Sequence, residues 1–442
     1  MPKGIYFIET YGCQMNVHDS EIMASLLEES GFAPTSNEKE ADIILINTCA
    51  IRGKSQHKVY SALGRFRNQK RNNPDTVLIV AGCVAQQEKD ELLKATDLVD
   101  VVIGTHQISE LPTLIARIKN NRNRISKTDF SEDVKSLNLR GLAPRKNQVC
   151  SFVTIMQGCS NFCSYCVVPY TRGPEQSRPT NEIIHEIKWL VEHGIKEVTL
   201  LGQNVNAYGL DLTKDRPTFA SLLKAINDIG RLERIRFTTS HPKDFDDELI
   251  DAMASLDKVC EHVHLPIQSG SDSILRAMGR KYTRKEYLST IEALRNRIPE
   301  VAITTDIIVG FPGENEEDFQ DTVSALNIVK YDQIFSFKYS VRPGTAAELF
   351  EGHLTEEIKG MRLETVHQIQ DRITHQYHRS MEGQTVEVLV EKNPSGPYRQ
   401  AFGRTRTNKI VNFSTGNGEL LGKVVKVKIS AGLKHSLRGH EL

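Results

Sequence analysis

The chain has 442 residues, 39% hydrophobic and 25% charged, which is too long for one small module and apolar enough to bury two or three cores. Lys plus Arg (56) equals Asp plus Glu (56), so the molecule is no polycation and any nucleic-acid affinity must be local. The longest apolar runs, such as 43–46 and 77–81, fall far short of the roughly 20 residues of a spanning helix, and the N-terminus lacks the pattern of a secretory leader. A cytoplasmic protein without membrane contact is expected.

From residue 5 to about 120, short apolar runs alternate with helical patterns: 5–8 before 20–30, 43–46 before 54–66, 77–80 before 86–94, and 99–103 before 111–118. That alternation predicts an α/β domain over residues 3–120, an open parallel sheet with crossover helices. Residues 121–144 break the pattern with polar and basic side chains and are predicted to be a linker. A second alternating run, 145–375, has strand candidates at 152–156, 198–201, 235–238, 262–265, 302–309 and 334–339. Six strand-helix units predict a partial (β/α)6 barrel, since a full eight-unit barrel takes about 250 residues. Over 376–442 the strands become short and β-branched, at 386–390, 410–412 and 423–429, with Gly and Asn between them, which predicts a small all-β, OB-like barrel. This tail holds eleven Lys or Arg against five Asp or Glu, a net of +6 that leaves −6 on residues 1–375.

In a reducing compartment, clustered cysteines indicate a metal rather than disulfides. Cys159, Cys163 and Cys166 stand in Gly158-Cys-Ser-Asn-Phe-Cys-Ser-Tyr-Cys, a C-x3-C-x2-C spacing directly after the first strand of the second run. Three thiolates so close can hold one iron-sulfur cluster on the face where barrels carry their chemistry, leaving one iron open. No fourth Cys or His follows at zinc-finger distance. Cys13, Cys49 and Cys83 are far apart in sequence, yet each follows a predicted strand and precedes a helix. Carboxyl ends of neighbouring parallel strands lie side by side, so these three thiols can also meet. Cys150 and Cys260 fall outside both sets and read as core thiols.

The C-x3-C-x2-C loop, with Tyr165 before its last cysteine, resembles the radical S-adenosylmethionine (SAM) superfamily. A three-cysteine N-terminal domain, that core and a basic β-barrel tail, in this order, resemble the methylthiotransferase family from end to end, the tail resembling a TRAM domain. The stretches Cys166-Val-Val-Pro-Tyr-Thr-Arg-Gly173, Ser177-Arg-Pro179, His264-Leu-Pro-Ile-Gln-Ser-Gly270 and Asp306-Ile-Ile-Val-Gly-Phe-Pro-Gly-Glu314 resemble the branch that acts on tRNA. Gly53 and Pro174 depart from it, standing where that branch has acidic residues.

The resemblance implies two 4Fe-4S clusters, one on Cys159, Cys163 and Cys166 with SAM chelated by its open iron, the other on Cys13, Cys49 and Cys83. It also implies a transferase that methylthiolates C2 of N6-isopentenyladenosine at position 37, with a tRNA anticodon stem-loop as partner, a flavodoxin- or ferredoxin-like electron donor and a monomeric chain. Threonylcarbamoyladenosine of tRNA, an aspartate of a ribosomal protein, and a non-catalytic iron-sulfur RNA-binding role are the alternatives. Gln203 and Asn204 end the second barrel strand and Gln268 and Ser269 follow the fourth, so all four rim the active face as SAM contacts or as loop supports. No side-chain base is nominated.

For the nucleic acid, Arg399, Arg404, Arg406, Lys409, Lys423, Lys426 and Lys428 alternate with Tyr398, Phe402 and Phe413 in the tail, a pattern that can meet phosphates and stack bases. The helix after Cys49, with Arg52, Lys54, Lys58, Arg65, Arg67, Lys70 and Arg71, is a second candidate patch.

Overall fold

The computed structural model describes residues 2–50, 55–131, 144, 147–213, 216–395, 399–416 and 418–442. The N-terminal part is an open sheet of β1 (Gly4–Tyr11), β2 (Phe32–Pro34), β3 (Ile43–Thr48), β4 (Val77–Gly82), β5 (Val101–Ile103) and β6 (Ile125–Lys127), all parallel, in the order β2-β1-β3-β4-β5-β6. Helices α1 (Gln14–Glu29), α2 (Ser55–Asn72), α3 (Cys83–Glu88), α4 (Asp90–Ala95) and α5 (Leu111–Asn121) accompany it. Ile43, Leu45, Val77 and Ile79 pack beside Met23 and Leu27 of α1 and Leu114 of α5, whereas Ile44, Ile46, Leu78 and Val80 pack beside Leu63 and Phe66 of α2. Strands covered on both faces read as unbroken apolar runs, which is why β3 and β4 stand out in the sequence.

Two local features differ from the sequence pattern. The helix predicted over 86–94 is two helices, divided at Lys89, whose φ of 50° interrupts the ladder. The stretch predicted as a linker over 121–144 begins with β6, which extends the sheet beside β5. Like β2, β6 is three residues long, too short to produce a period.

The central part contains β7 (Cys150–Thr154), a two-residue antiparallel pair β8 (Met156–Gln157) and β9 (Gln176–Ser177), then β10 (Glu197–Leu201), β11 (Arg234–Phe237), β12 (His262–His264), β13 (Ala302–Val309) and β14 (Gln333–Lys338). Between and after them run α6 (Val168–Arg172), α7 (Thr180–Glu192), α8 (Phe219–Asn227), α9 (Asp247–Ser255), α10 (Asp272–Ala277), α11 (Arg284–Arg297), α12 (Glu316–Val329) and α13 (Glu356–Ser380). Parallel ladders run β11-β10-β7 and β12-β13-β14, and the Ile235–Val259 bridge connects them. Among the described residues no ladder returns from β14 to β7, so six strands make a barrel with one open side.

Alternation decides what each barrel face carries. Val198, Leu200, Ile235, Phe237, Val263, Ile303 and Ile307 join the core with the helices. Their strand neighbours Glu197, Arg234, Arg236, His262, His264, Thr304 and Asp306 therefore face the lumen. A lumen this polar suits a ligand better than a packed interior.

The tail is a closed barrel of β15 (Thr385–Ser395), β16 (Gln400–Arg404), β17 (Ile410–Ser414), β18 (Val424–Gly432) and β19 (Leu437–Glu441), in the order β15-β16-β17-β19-β18. Its β16–β17 turn closes the amino end of the central lumen. Arg236 donates to Arg406 O and Thr405 O, each at 2.7 Å, and Arg234 donates to Arg404 O at 2.7 Å. Arg406 forks onto Glu261, with its closest contact at 2.6 Å, and Lys409 pairs with Asp332 at 2.7 Å. Arg404 pairs within the tail with Glu391 at 3.2 Å.

Three tail cations that the sequence pattern assigned to phosphate are thus used inside the chain, Arg406 and Lys409 on carboxylates at the amino ends of the central barrel strands and Arg404 on Glu391 of the tail itself. Phe413, a candidate stacking aromatic, is fully buried in the tail core beside Val411 and Val427, and Tyr398 lies outside the described residues. Arg399, Lys423, Lys426 and Lys428 remain exposed. No helix among the described residues is long and apolar enough to cross a membrane.

Candidate active site

Cys159, Cys163 and Cys166 lie between β8 and α6, past the carboxyl end of the first barrel strand. The turn into this loop requires glycine: Gly158 has φ +83°, and a Cβ there would sit 1.9 Å from Pro174 O. Gly158 N donates to Gln203 Oε1 at 2.5 Å, while Ser164 N and Oγ donate to Met278 O at 2.9 Å and Ala277 O at 2.8 Å. The loop is thereby pinned to the ends of β10 and α10.

Each of the three sulfurs accepts one N–H, Cys159 from Asn161 Nδ2 at 3.4 Å, Cys163 from Arg280 Nη1 at 3.5 Å and Cys166 from Val168 N at 3.4 Å. Burial pushes the Cys159 thiol up and the Cys166 thiol to about 12, with the neighbouring Cys163 adding to the latter. Burial thus favours the protonated form of Cys159 and Cys166; the N–H donors aimed at all three sulfurs are outer contacts of the kind that steady metal-bound thiolates. Tyr165 packs edge-on to Phe311 at 6.5 Å. Gly158→Ala is expected to displace the loop at a strain of about 1–3 kcal/mol, and iron analysis should then find the loop's share missing while the N-terminal share stays.

Cys49 and Cys83 directly follow β3 and β4, and Cys13 follows β1 after Gly12; the three strands are neighbours in the sheet. Cys49 hydrogen-bonds both of the others. Those bonds drive its own thiol well above the usual range and, as the leading cause, bring Cys13 down to about 7 and Cys83 down to about 6 against the opposing effect of burial. Three sulfurs close enough to share a proton fit a group that three thiolates bind together. Gly82, at φ +88°, precedes Cys83 where a Cβ would meet Asn47 Oδ1 at 2.3 Å, and Asn47 in turn bonds Asn16 O at 2.8 Å. Among the described residues no three His, Cys, Asp or Glu side chains close around one point as a lone ion requires. A cluster instead spreads its thiolates over separate irons, so the hydrogen-bonded sulfurs would part to receive it.

Past the carboxyl ends of four successive barrel strands, Gln157 Nε2, Asn204 Oδ1, Ser240 Oγ and Gln268 Oε1 are buried without a hydrogen-bond partner among the described residues. Orphaned buried polar atoms are costly and mark a place for a polar ligand. Of the four SAM contacts considered from sequence, Asn204 and Gln268 belong to this set. Gln203 instead supports the cysteine loop through Gly158. Ser269 Oγ meets Thr322 Oγ1 at 3.3 Å and accepts from Ser271 N at 3.2 Å, bracing the turn before α10. Gln157 and Ser240, past barrel-strand ends, and Arg280, after α10, were not found from sequence, where a single polar residue carries no spacing signal. Deeper in the lumen, His264 Nε2 lies 3.5 Å from Asp306 Oδ1, and the His264 ring meets Phe335 edge-on at 5.7 Å.

The two thiol sets sit across one domain boundary. Arg172, at the end of α6, donates from Nη2 to Asp19 Oδ2 of α1 at 2.6 Å, both side chains being almost fully buried. Arg342, past β14, has its guanidinium pulled down first by burial, and it interacts with the Cys49 thiol of one set and the Cys166 thiol of the other. The helix α2 keeps much of its charge in the domain: Arg65 pairs with Glu9 and Glu38, Lys70 with Asp100 at 2.6 Å, and Lys58 lies over the Tyr11 ring at 5.3 Å. Arg67 and Arg71 are exposed, while Arg52, Gly53 and Lys54 fall outside the described residues.

Residues 153–326 match the Radical SAM superfamily, residues 5–104 the Uncharacterized protein family UPF0004 and residues 379–442 the TRAM domain. A curated protein of Syntrophus aciditrophicus named tRNA-2-methylthio-N(6)-dimethylallyladenosine synthase is 50% identical over 442 residues, 100% of this chain and 95% of its own. A protein of the same name from Carboxydothermus hydrogenoformans is 47% identical, covering 99% of each chain. Among solved structures, the radical S-adenosylmethionine methyltransferase TsrM from Kitasatospora setae, with cobalamin and a 4Fe-4S cluster bound, superposes with a TM-score of 0.56 at 15% identity, over 79% of this chain and 74% of that one. At that identity the likeness is one of fold.

Proposed function

Because the chain belongs to the family of tRNA-2-methylthio-N(6)-dimethylallyladenosine synthases, we propose that it replaces the C2 hydrogen of N6-isopentenyladenosine, at position 37 beside the tRNA anticodon, with a methylthio group. It is a transferase of the radical SAM class, with 4Fe-4S and SAM as cofactors. The observation that carries the reading is α6, which starts beyond Cys166 of one thiol set and ends at Arg172, whose guanidinium bonds Asp19 at 2.6 Å on α1, the helix that follows Cys13 of the other set. A single base bound at this domain boundary is then served from both sets.

In this reading Cys159, Cys163 and Cys166 hold one cluster and Cys13, Cys49 and Cys83 hold the second. When bound, these groups and SAM supply a carbon radical and the sulfur, which the reaction requires because an unactivated aromatic C–H lies beyond ordinary acid–base catalysis. The rest of the task falls to the chain. Asn204 Oδ1 and Gln268 Oε1 offer acceptors to the amino and hydroxyl groups of SAM, and Gln157 Nε2 and Ser240 Oγ offer donors to its carboxylate. The open side between β7 and β14 admits the nucleoside, whose base meets Phe335 and the His264–Asp306 pair. A flavodoxin- or ferredoxin-like protein delivers the electron, and the enzyme acts as a cytoplasmic monomer.

The tRNA backbone is met by the exposed face of β18 and β19, where Lys426, Lys428 and Arg438 stand clear of the barrel interior. The double variant Lys426→Ala, Lys428→Ala is expected to weaken RNA binding and to flatten the slope of log affinity against log salt by about 1.5–2. An unchanged slope would remove this face from the interface.

The reading as a whole is tested by anaerobic reconstitution with iron, sulfide, SAM and dithionite, offering two anticodon stem-loops that differ only in the dimethylallyl group of the target adenosine. The expected result is 5'-deoxyadenosine together with a methylthio product on the dimethylallyl RNA alone. Absence of 5'-deoxyadenosine would contradict the radical chemistry. Product on neither of these but on a third stem-loop, offered in parallel and carrying threonylcarbamoyl-adenosine, would transfer the chain to the other tRNA branch.

A further inference from the structure

Arg172 is encoded with the C-x3-C-x2-C loop, six residues after Cys166, yet it works in the other domain. Val167 is buried in the apolar core between the N-terminal sheet and α2. At the far end of α6, Thr105 Oγ1 donates to Thr171 O at 2.6 Å, and a His106 ring nitrogen lies 2.9 Å from Arg172 O. The short helix is therefore held at both ends by the N-terminal domain. Its last side chain is aimed at the thiols there: the guanidinium carries its charge to Cys83 and Cys13 and comes within reach of the Cys83 sulfur. Asp19 takes Nη2 at 2.6 Å, while the buried Nη1 meets no partner at hydrogen-bonding geometry among the described residues. A buried guanidinium with one nitrogen uncommitted is an arrangement that a sulfur acceptor completes.

We infer that Arg172 is a positioning residue for the cluster on Cys13, Cys49 and Cys83: Asp19 orients it, its Nη1 donates to that cluster, and α6 carries it as a fixed strut from one thiol set to the other. The inference rests on the reading of these three cysteines as a cluster site. Positive charge and N–H donors near an iron-sulfur cluster stabilise its reduced, more negative form, so they raise its potential. Asp19, directly behind the guanidinium, opposes that effect. Replacing the two partners should consequently shift the potential in opposite directions, which loosened packing would not do.

The experiment is an EPR-monitored redox titration of the reconstituted full-length protein and of its Arg172→Gln, Asp19→Asn and Arg172→Gln/Asp19→Asn variants, each with its iron content measured. In Arg172→Gln the potential of the N-terminal cluster falls, in Asp19→Asn it rises, and in the double variant it lies between. The signal of the Cys159, Cys163 and Cys166 cluster stays in place throughout. The double variant leaves no unpaired buried carboxylate, so with Asp19→Asn it decides the matter where Arg172→Gln fails to fold. Potentials equal to that of the unsubstituted protein in all variants that load both clusters, or shifts of the same sign in the two single variants, would overturn the inference. A single cluster's worth of iron in the unsubstituted protein would instead overturn the cluster assignment on which it rests.

Discussion

Cys163→Ala abolishes 5'-deoxyadenosine formation from SAM, measured by chromatography after dithionite reduction, and lowers bound iron by about four atoms per chain. The size of the effect follows from the loop. In the proposed reading three thiols hold the group that binds SAM, and with one lost the remaining two cannot both retain it and leave a position open. Arg280 Nη1 loses the sulfur that it bonds at 3.5 Å. Folding should survive, because Ser164 still ties the loop to Met278 and Ala277 and the barrel core lies on the other face of the strands. A circular dichroism spectrum like that of the unsubstituted protein, with no 5'-deoxyadenosine, is the expected pair of results. SAM cleavage at an undiminished rate would show that the loop does not carry the radical chemistry.

Cys83→Ala gives the opposite dissociation. Cleavage of SAM to 5'-deoxyadenosine continues, whereas methylthiolated RNA, followed by mass spectrometry of the nucleosides, falls below detection. Cys83 sits across the domain boundary from the radical SAM loop and is bonded to Cys49 and faced by Arg172. Its loss breaks the N-terminal set without touching Cys159, Cys163 or Cys166. Product in normal yield from this variant would mean that the N-terminal thiols serve only the fold. Together the two substitutions separate the making of the radical from the provision of sulfur.

Most of the architecture was legible because it repeats. β3 and β4 are buried on both faces and write themselves as unbroken apolar runs. The tail strands alternate, and the C-x3-C-x2-C spacing is local enough to be read as one object. The N-terminal thiols were legible only through their equivalent places after strands. What stayed hidden depends on residues far apart in sequence. Asp19 and Arg172 are 153 positions apart, and neither has a pattern around it. Arg406 looked like a phosphate ligand because charge in a sequence does not say where its partner is, and the partner is Glu261, 145 positions away in the same chain. β2 and β6 are too short to show a period. Asn204 and Gln268 could be placed on the rim from sequence, but their unpaired oxygens, and the unpaired Gln157 Nε2 and Ser240 Oγ beside them, are features of packing alone.

The central claim is that two thiol sets, one in each of two adjoining domains, act together to methylthiolate a single tRNA nucleoside. Mass analysis of tRNA nucleosides tests it most directly, using cells that lack this chain and the same cells supplied with the unsubstituted protein, Cys83→Ala or Cys163→Ala. The account predicts that 2-methylthio-N6-isopentenyladenosine returns with the unsubstituted protein only, and that N6-isopentenyladenosine accumulates in the other three samples. An undiminished methylthio nucleoside in cells without the chain would contradict it.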